Sequence, residues 1–571
     1  MTGTSLRDRL RTRWRVKTAR PRGSARSLVW QPEPRGTGSA RRGQQILSGL
    51  WHFAGQLVEG TNDPWGIVPP SAPFERQLHG MGWLDDVMSL GSRQARQAAQ
   101  RWVLEWAQRY GTGTGPGWDP ALAGRRLLRQ ISHAPTLLTR MEARDQKLFF
   151  DLLYRQAGYL RRHWNDAPAG LPRMEALTGL LYAGLTLEGM DRLAADATHA
   201  LTRAIQADVG SDGGISSRNP EALLEVAMLL GWAIDALRAL DEVPEGLTQA
   251  QARIVPTLRA LRHADGGLAR FHGGGRGRTG RLDRVLATSG IRARNDSGLA
   301  MGFVPMAHGR TTLIVDADAP PTGAASGSAH ASTLAFEMTS GNCPVIVNCG
   351  PGGAFGPDWH RAGRATASHS TLSIEGWSSS RIGGLLTVGS RQVAPLVQVP
   401  RRVQWQRSAS RRASTLTLGH DGYVPSHGLT HLRRFVLSTD GRILHGEDSL
   451  RAITNVDKER FEDVQADAER RGVAFQCRFH LHPDTEAEID MGGRAVSLTL
   501  PSGEVWVFRP GQRVRLSLEP SVHLEGGRLK PRPSQQVVLS DRLVTYASTI
   551  DWTLIRAQEA TELPPSPAEE L

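Results

Sequence analysis

His480 and His482 stand one residue apart in a strand-like run, so both imidazoles are expected on one face, a spacing that can chelate a divalent metal. No carboxylate at ligand spacing accompanies them, and a structural pair is the competing reading. His420, His427 and His431 follow no zinc spacing. They are expected to be structural or to line the rim of a cleft. Of six tyrosines, Tyr423 in His420-Asp421-Gly422-Tyr423 is the one set among polar groups, where a phenol could exchange a proton or hold a ligand. Indole faces stack on the apolar faces of sugar rings. Trp65 and Trp83 lie in irregular sequence and are candidates for such a cleft, whereas Trp102 and Trp106 share a helical apolar stripe and read as core. Phe271-His272-Gly273-Gly274-Gly275 reads as a flexible loop that could bring His272 to the same cleft. Its glycines fit no phosphate-binding pattern, since no strand precedes them and no Lys-Ser/Thr follows. The cysteines Cys343, Cys349 and Cys477 are too few for a disulfide framework and read as buried free thiols.

The elements that must position these groups divide the chain in two. With 571 residues there is material for more than one core. Residues 44–300 carry apolar positions at helical spacing, as in 91–109, where Ala98, Trp102 and Trp106 recur at i, i+4, i+8 before a Gly-rich break. Further helices are expected near 119–141, 144–163, 173–188, 192–207, 219–240 and 247–262. Short connections make this an array of antiparallel helix pairs, stacked as a solenoid or curled into a ring. Residues 263–300 are rich in Gly and Arg and read as a hinge. From about 305 the pattern alternates with period two and is rich in Val, Ile, Thr, Leu and Phe. Ser438-Thr439-Asp440-Gly441-Arg442 marks a hairpin turn. No helical crossovers intervene, so stacked antiparallel sheets are expected over 301–558. No run of eighteen apolar residues is present, which excludes an ordinary membrane-spanning helix.

The net charge of +13 is unevenly placed, because residues 1–45 hold twelve basic residues and two acids. Residues 1–43 read as a disordered basic tail able to touch a polyanion, and 559–571 as a second disordered tail. The first 26 residues are charged throughout and show no apolar h-region, so ordinary secretion is not expected.

Several segments resemble the bacterial heparinase II/III-like family. They include residues 74–87, 212–220 and 261–275 in the helical half, and 329–341, 345–350, 364–374, 419–434 and 479–483 in the β half. Their order, helices first and strands second, carries the resemblance over about 45–555. It implies an N-terminal (α/α) toroid, alginate lyase-like, over 44–300 and a C-terminal antiparallel β-sandwich over 301–558. It also implies β-elimination on an anionic, uronate-containing polysaccharide such as a glycosaminoglycan. Such a reaction needs a neutraliser for the uronate carboxylate, a base for the C5 proton and an acid for the leaving oxygen.

The family's residues carry over only in part. Its His-Ala-His-Ala-Asp run appears here as Ser328-Ala329-His330-Ala331-Ser332, which keeps His330. Arg364, Thr366 and His369 match its later histidine stretch, and Asn348 stands where metal-binding members carry an Asp. The resemblance thus implies His330, His369, Arg364, Arg218 and Asn219 as catalytic groups. It leaves open a zinc or calcium ion on His330, Asn348 and His369, although an amide is a poorer zinc ligand than a carboxylate. Neutralisers on an earlier helix would fall near Arg173 and Glu175, which join Trp65, Trp83, His272 and Tyr423 as substrate-binding candidates. The tyrosine expected after the Arg-Ser-Pro motif is replaced by Ala222. The expected function is a carbon–oxygen lyase acting on polysaccharide, and the alternative is a catalytically degenerate glycan-binding or scaffold protein on the same fold. No specific nucleic-acid partner is expected. The resemblance implies the cell envelope or periplasm, and the charged N-terminus makes the cytoplasm the alternative.

Overall fold

The computed structural model describes residues 6–19, 27–295, 298–388, 391–467, 471–511 and 514–558. The N-terminal half is a toroid of antiparallel helices built on the expected periodicity. Helices run over Arg93–Tyr110, Pro120–Ser132, Ala143–His163, Leu171–Thr186, Asp191–Asp208, Pro220–Arg238 and Glu245–Ala260. Each buries its apolar stripe in one continuous core. The stretch expected as one helix over 119–141 breaks at His133, because Pro135 has no N–H to continue the ladder, and a short helix Ala134–Leu137 follows. Helices Pro120–Ser132 and Leu171–Thr186 cross at Gly124 and Gly179. A Cβ on Gly124 would come within 2.3 Å of the Glu175 carbonyl oxygen, and one on Gly179 within 2.4 Å of the Gly124 carbonyl oxygen. Only glycine permits that approach.

The N-terminal segment is not the free tail expected. Leu6–Thr18 is a helix, and Val16 and Ala19 at its end are buried. Arg15 pairs with Asp166 at 3.0 Å, and Arg162 donates to the Thr18 carbonyl at 3.0 Å. These anchors tie the helix end to the toroid, a tertiary gain that composition could not disclose. A further helix, Ala40–Leu47, begins inside the same segment. The C-terminal stretch 559–571, expected as a tail, lies outside the described residues. Among the described residues no helix is long and apolar enough to cross a membrane.

The second half is a β-sandwich of two eight-stranded sheets in which every paired strand is antiparallel. The inner faces interlock through aromatic rings. Trp552 of one sheet packs on Phe479 and Phe336 of the other, with centroids 4.8 and 6.0 Å apart. The expected hairpin joins Leu429–Ser438 to Ile443–Arg451, with Gly441 at φ 69° and Ser438 Oγ accepting the Ile443 N–H at 2.9 Å. The glycine-rich start of the segment expected as a hinge is packed instead. Phe271 and His272 are fully buried, and a Cβ at Gly274 would meet Asn219 Oδ1 at 2.5 Å. The glycines there admit close backbone approach rather than motion. The toroid core runs on into Phe303, Ile314 and Ala335 of the β half, so the halves share apolar packing at their seam.

Candidate functional site

The sequence-predicted catalytic residues collect at this seam. Asn219 caps helix Pro220–Arg238, its Oδ1 accepting the Ala222 N–H at 3.0 Å while its Nδ2 donates to the His272 carbonyl at 3.2 Å. Ala222, in the first turn, presents only a methyl group where the family places a phenol. Arg218 precedes the cap with φ 48°, a strained backbone conformation for a non-glycine residue. Its guanidinium holds it there. Nε donates to the Met301 carbonyl at 3.1 Å, one terminal nitrogen to those of Asp318 and Ala319 at 3.3 and 2.7 Å, and the other to the Gly302 carbonyl at 2.8 Å and Asp316 Oδ1 at 2.6 Å. A guanidinium has five N–H groups, and all five meet acceptors of the β half. Arg364 is similarly engaged by the carbonyls of Ala329, Ala394 and Ser326 at 2.7, 2.8 and 3.0 Å. It fixes the chain entering His330, each of its three nitrogens bonded to a carbonyl.

Three histidines meet between these arginines, and their tautomers follow from their partners. His369 Nδ1 faces the Ala365 carbonyl at 2.8 Å and must donate, so Nε2 accepts. His330 Nδ1 lies 2.9 Å from that Nε2 and therefore carries the proton. The lone pair of His330 Nε2 is then left without a hydrogen-bond partner. His272 Nδ1 accepts the backbone N–H of His330 at 3.2 Å, so its Nε2 carries a proton, 3.5 Å from Asp316 Oδ2. Burial holds all three rings neutral. It lowers His369 to about 4 and His330 and His272 well below the usual value, helped for His330 by His369 and for His272 by Arg218. His330 is 2% exposed and the other two are fully buried.

The expected metal ligands do not form a metal site. Asn348 Oδ1 accepts the Ser370 N–H at 3.0 Å, and the nearby carboxylates are engaged: Asp316 by Arg218, and Glu337 by His263 at 3.2 Å and the Arg270 N–H at 3.0 Å. Two imidazole nitrogens hydrogen-bonded to each other are all that converge. Among the described residues no group of three His, Cys, Asp or Glu side chains could hold an ion.

The substrate-binding candidates are placed elsewhere. Trp65 and Trp83 are 6% and 2% exposed in an aromatic core with Trp51 and Trp102, their Nε1 groups donating to the Trp102 and Leu78 carbonyls. Irregular backbone there marked a tight core rather than a cleft. Tyr423 is fully buried in the sandwich, donates to the Leu372 carbonyl at 3.1 Å, and has its phenol pushed up by burial. Burial likewise raises Tyr110, Tyr154, Tyr159 and Tyr182, and a hydrogen bond to Glu462 raises Tyr546. No phenol is tuned toward a base. Glu175 pairs with Arg125, and Arg173 donates to the Ala167 carbonyl at 3.0 Å; both lie away from the seam histidines in this bonding pattern. His480 bonds Ser521 Oγ at 2.8 Å and the Ala367 carbonyl at 3.0 Å, while His482 packs on His523. The two histidines therefore make separate contacts rather than converging on one ion. His420 and His431 lie inside the sandwich, linked at 3.2 Å. Asp316 and Glu337 were not predicted. Their signal was a single carboxylate in each of two short strands, Thr311–Asp316 and Phe336–Ser340, which burial must pair with donors.

Comparison with known proteins agrees with this architecture. The sequence model of the heparinase II/III-like C-terminal domain matches residues 291–553. FtsZ-localized protein C of Caulobacter vibrioides (strain NA1000 / CB15N) is 32% identical over 558 residues, covering 95% of this chain and 92% of its own. Among solved structures, heparinase III superposes with a TM-score of 0.68 at 13% identity, covering 95% of this chain and 88% of that one. Heparan sulfate lyase HepC from Pedobacter heparinus gives 0.55 at 15% identity, over 97% and 88%. The shared toroid and sandwich, the family match across the β half and the full-length relative together place this chain in the heparinase II/III-like family.

Proposed function

We propose that this chain is a non-catalytic member of its family, an anionic-glycan-binding scaffold of the bacterial cell envelope that works at the division machinery. The observation that carries the reading is Arg218. β-Elimination requires a cation or strong donors against the uronate carboxylate as charge accumulates on it. All five N–H groups of the arginine at the family's motif are bound within the protein. Ala222 cannot transfer a proton, and the imidazoles are buried. The full-length relative named for its localisation to FtsZ supports the scaffold role.

A panel of uronate polysaccharides, followed by ultraviolet absorbance of the unsaturated product, tests this. The expected result is no product, together with retention of the protein on at least one immobilised polysaccharide and a mid-cell position for a fluorescent fusion. The unpartnered lone pair of His330 Nε2 favours a second reading, a lyase with His330 as base. Product that His330→Ala removes would establish that reading and overturn the first.

A further inference from the structure

Beyond the seam histidines, His523 ends the strand Arg515–His523 and His482 follows the strand Val473–Leu481. Their rings lie 5.2 Å apart at 65°. His523 is 2% exposed, yet neither of its ring nitrogens has a hydrogen-bond partner among the described residues. An imidazole carries at least one N–H, and a buried polar group left unsatisfied is unfavourable by about 1–3 kcal/mol. A ring with both nitrogens open is therefore an incomplete arrangement.

The surroundings specify what would complete it. Arg270, Arg532 and Arg528 all place positive potential on His523. The nearby carboxylates are bound by the rim arginines: Asp484 accepts from Arg532 at 2.5 Å and Glu525 from Arg528 at 3.3 Å, with the second Asp484 oxygen 3.5 Å from His482 Nδ1. The Arg270 guanidinium stands 3.9 Å from Asp265 and 3.8 Å from Glu337, beyond hydrogen-bond reach of either. His482 Nδ1 accepts the Asp484 N–H at 3.3 Å, which leaves its Nε2 as a donor. Three arginines repel a metal cation and suit a ligand that only accepts.

We propose that Arg270, His482 and His523, with Arg528 and Arg532 at the rim, form a binding site for an oxyanion group: a carboxylate, sulfate or phosphate. The site does not depend on the scaffold reading, since none of these residues belongs to the His330 cluster. The anion gives the His523 ring the acceptor it lacks. It also offsets the field of the arginines, which with burial holds His523 neutral and His482 down to about 4. Binding therefore takes up a proton and tightens as pH falls. Asp484 and Glu525, the acidic groups facing the rings, stay with Arg532 and Arg528.

Calorimetric titration of the full chain with sodium glucuronate, inorganic sulfate and inorganic phosphate, at pH 8 and pH 6, tests the proposal. Saturable binding of at least one anion is expected, several-fold tighter at pH 6, lost in His523→Leu and weakened several-fold in Arg528→Gln. The preferred anion separates a carboxylated sugar from a sulfated or phosphorylated ligand. Arg528 has a side chain 38% exposed, so its variant keeps the fold and decides the matter if His523→Leu does not fold. No saturable heat with any of the three anions, or wild-type affinity in Arg528→Gln, would overturn the site.

Discussion

Inside the sandwich, Arg433, Asp448, His431 and Trp552 form one buried polar cluster; at the seam, Arg218, Asp316, His272, His330 and His369 form another. In the first, Asp448 takes Arg433 Nε at 2.7 Å and a terminal nitrogen at 3.1 Å, and also binds His431 Nε2 at 2.9 Å and Trp552 Nε1 at 3.1 Å. Arg433 turns its remaining nitrogen to the carbonyls of Leu334 and Ser370. None of these four side chains is left with an unpartnered polar atom among the described residues. In the second, the arginine is complete but His330 Nε2 and His272 Nε2 lack hydrogen-bond partners. Similar ingredients thus reach different degrees of completion. The first cluster closes on itself, whereas the second keeps open valences that a bound group could fill.

The contrast can be broken at its strongest point first. Asp448→Ala should destabilise by about 4 kcal/mol, because it strands the buried Arg433 without its partner. Urea unfolding measures this, and a loss under about 1 kcal/mol would mean the cluster is not the keystone its bonding suggests. Arg218→Met should remove about 3 kcal/mol and, unlike Asp448→Ala, separate the unfolding of toroid and sandwich into two calorimetric transitions. A single transition would show that the apolar seam alone couples the halves.

Acid should act on the seam more gently. His369 titrates near 6.5 when unfolded and at about 4 when folded, so the unfolded chain binds the extra proton between these values. The stability it contributes is complete above pH 6.5 and falls as pH drops towards 4, by about 2 kcal/mol between pH 8 and pH 5. Urea midpoints at the two pH values check this, and His369→Asn should flatten the slope. Asp448, whose carboxyl Arg433 and His431 hold well below its usual value against burial, loses its stabilising charge only in much stronger acid. The smallest change is expected from His330→Leu, within about 1 kcal/mol of wild type, because removing a half-satisfied imidazole also removes its desolvation burden. A loss comparable to that of Asp448→Ala would mean that His330 is as complete as His431.

Much of the architecture was legible because it is written locally. Apolar residues at i, i+4 and i+8 produced the helix Arg93–Tyr110, and alternation with an Asp-Gly turn produced the hairpin about Gly441. His330 and His369, whose motifs survive, lie 2.9 Å apart. The rest depends on distant partners. Arg218 reads as a free cation until residues 301–319 fold over it. Trp65 and Trp83 sit in irregular sequence, and only packing against Trp51 and Trp102 reveals them as core. The glycines after His272 read as flexibility when they are clearance for Ser328 and Asn219.

The five-way anchorage of Arg218 has a mechanical consequence. A tool that clips a polymer profits from jaws that part and close, but these two halves are riveted where a hinge would have to be. Tension applied to the strands passes to the helices through one rigid joint, with little slack for the load to dissipate. On the scaffold reading proposed above, such a joint would pass load between whatever is bound to the two halves.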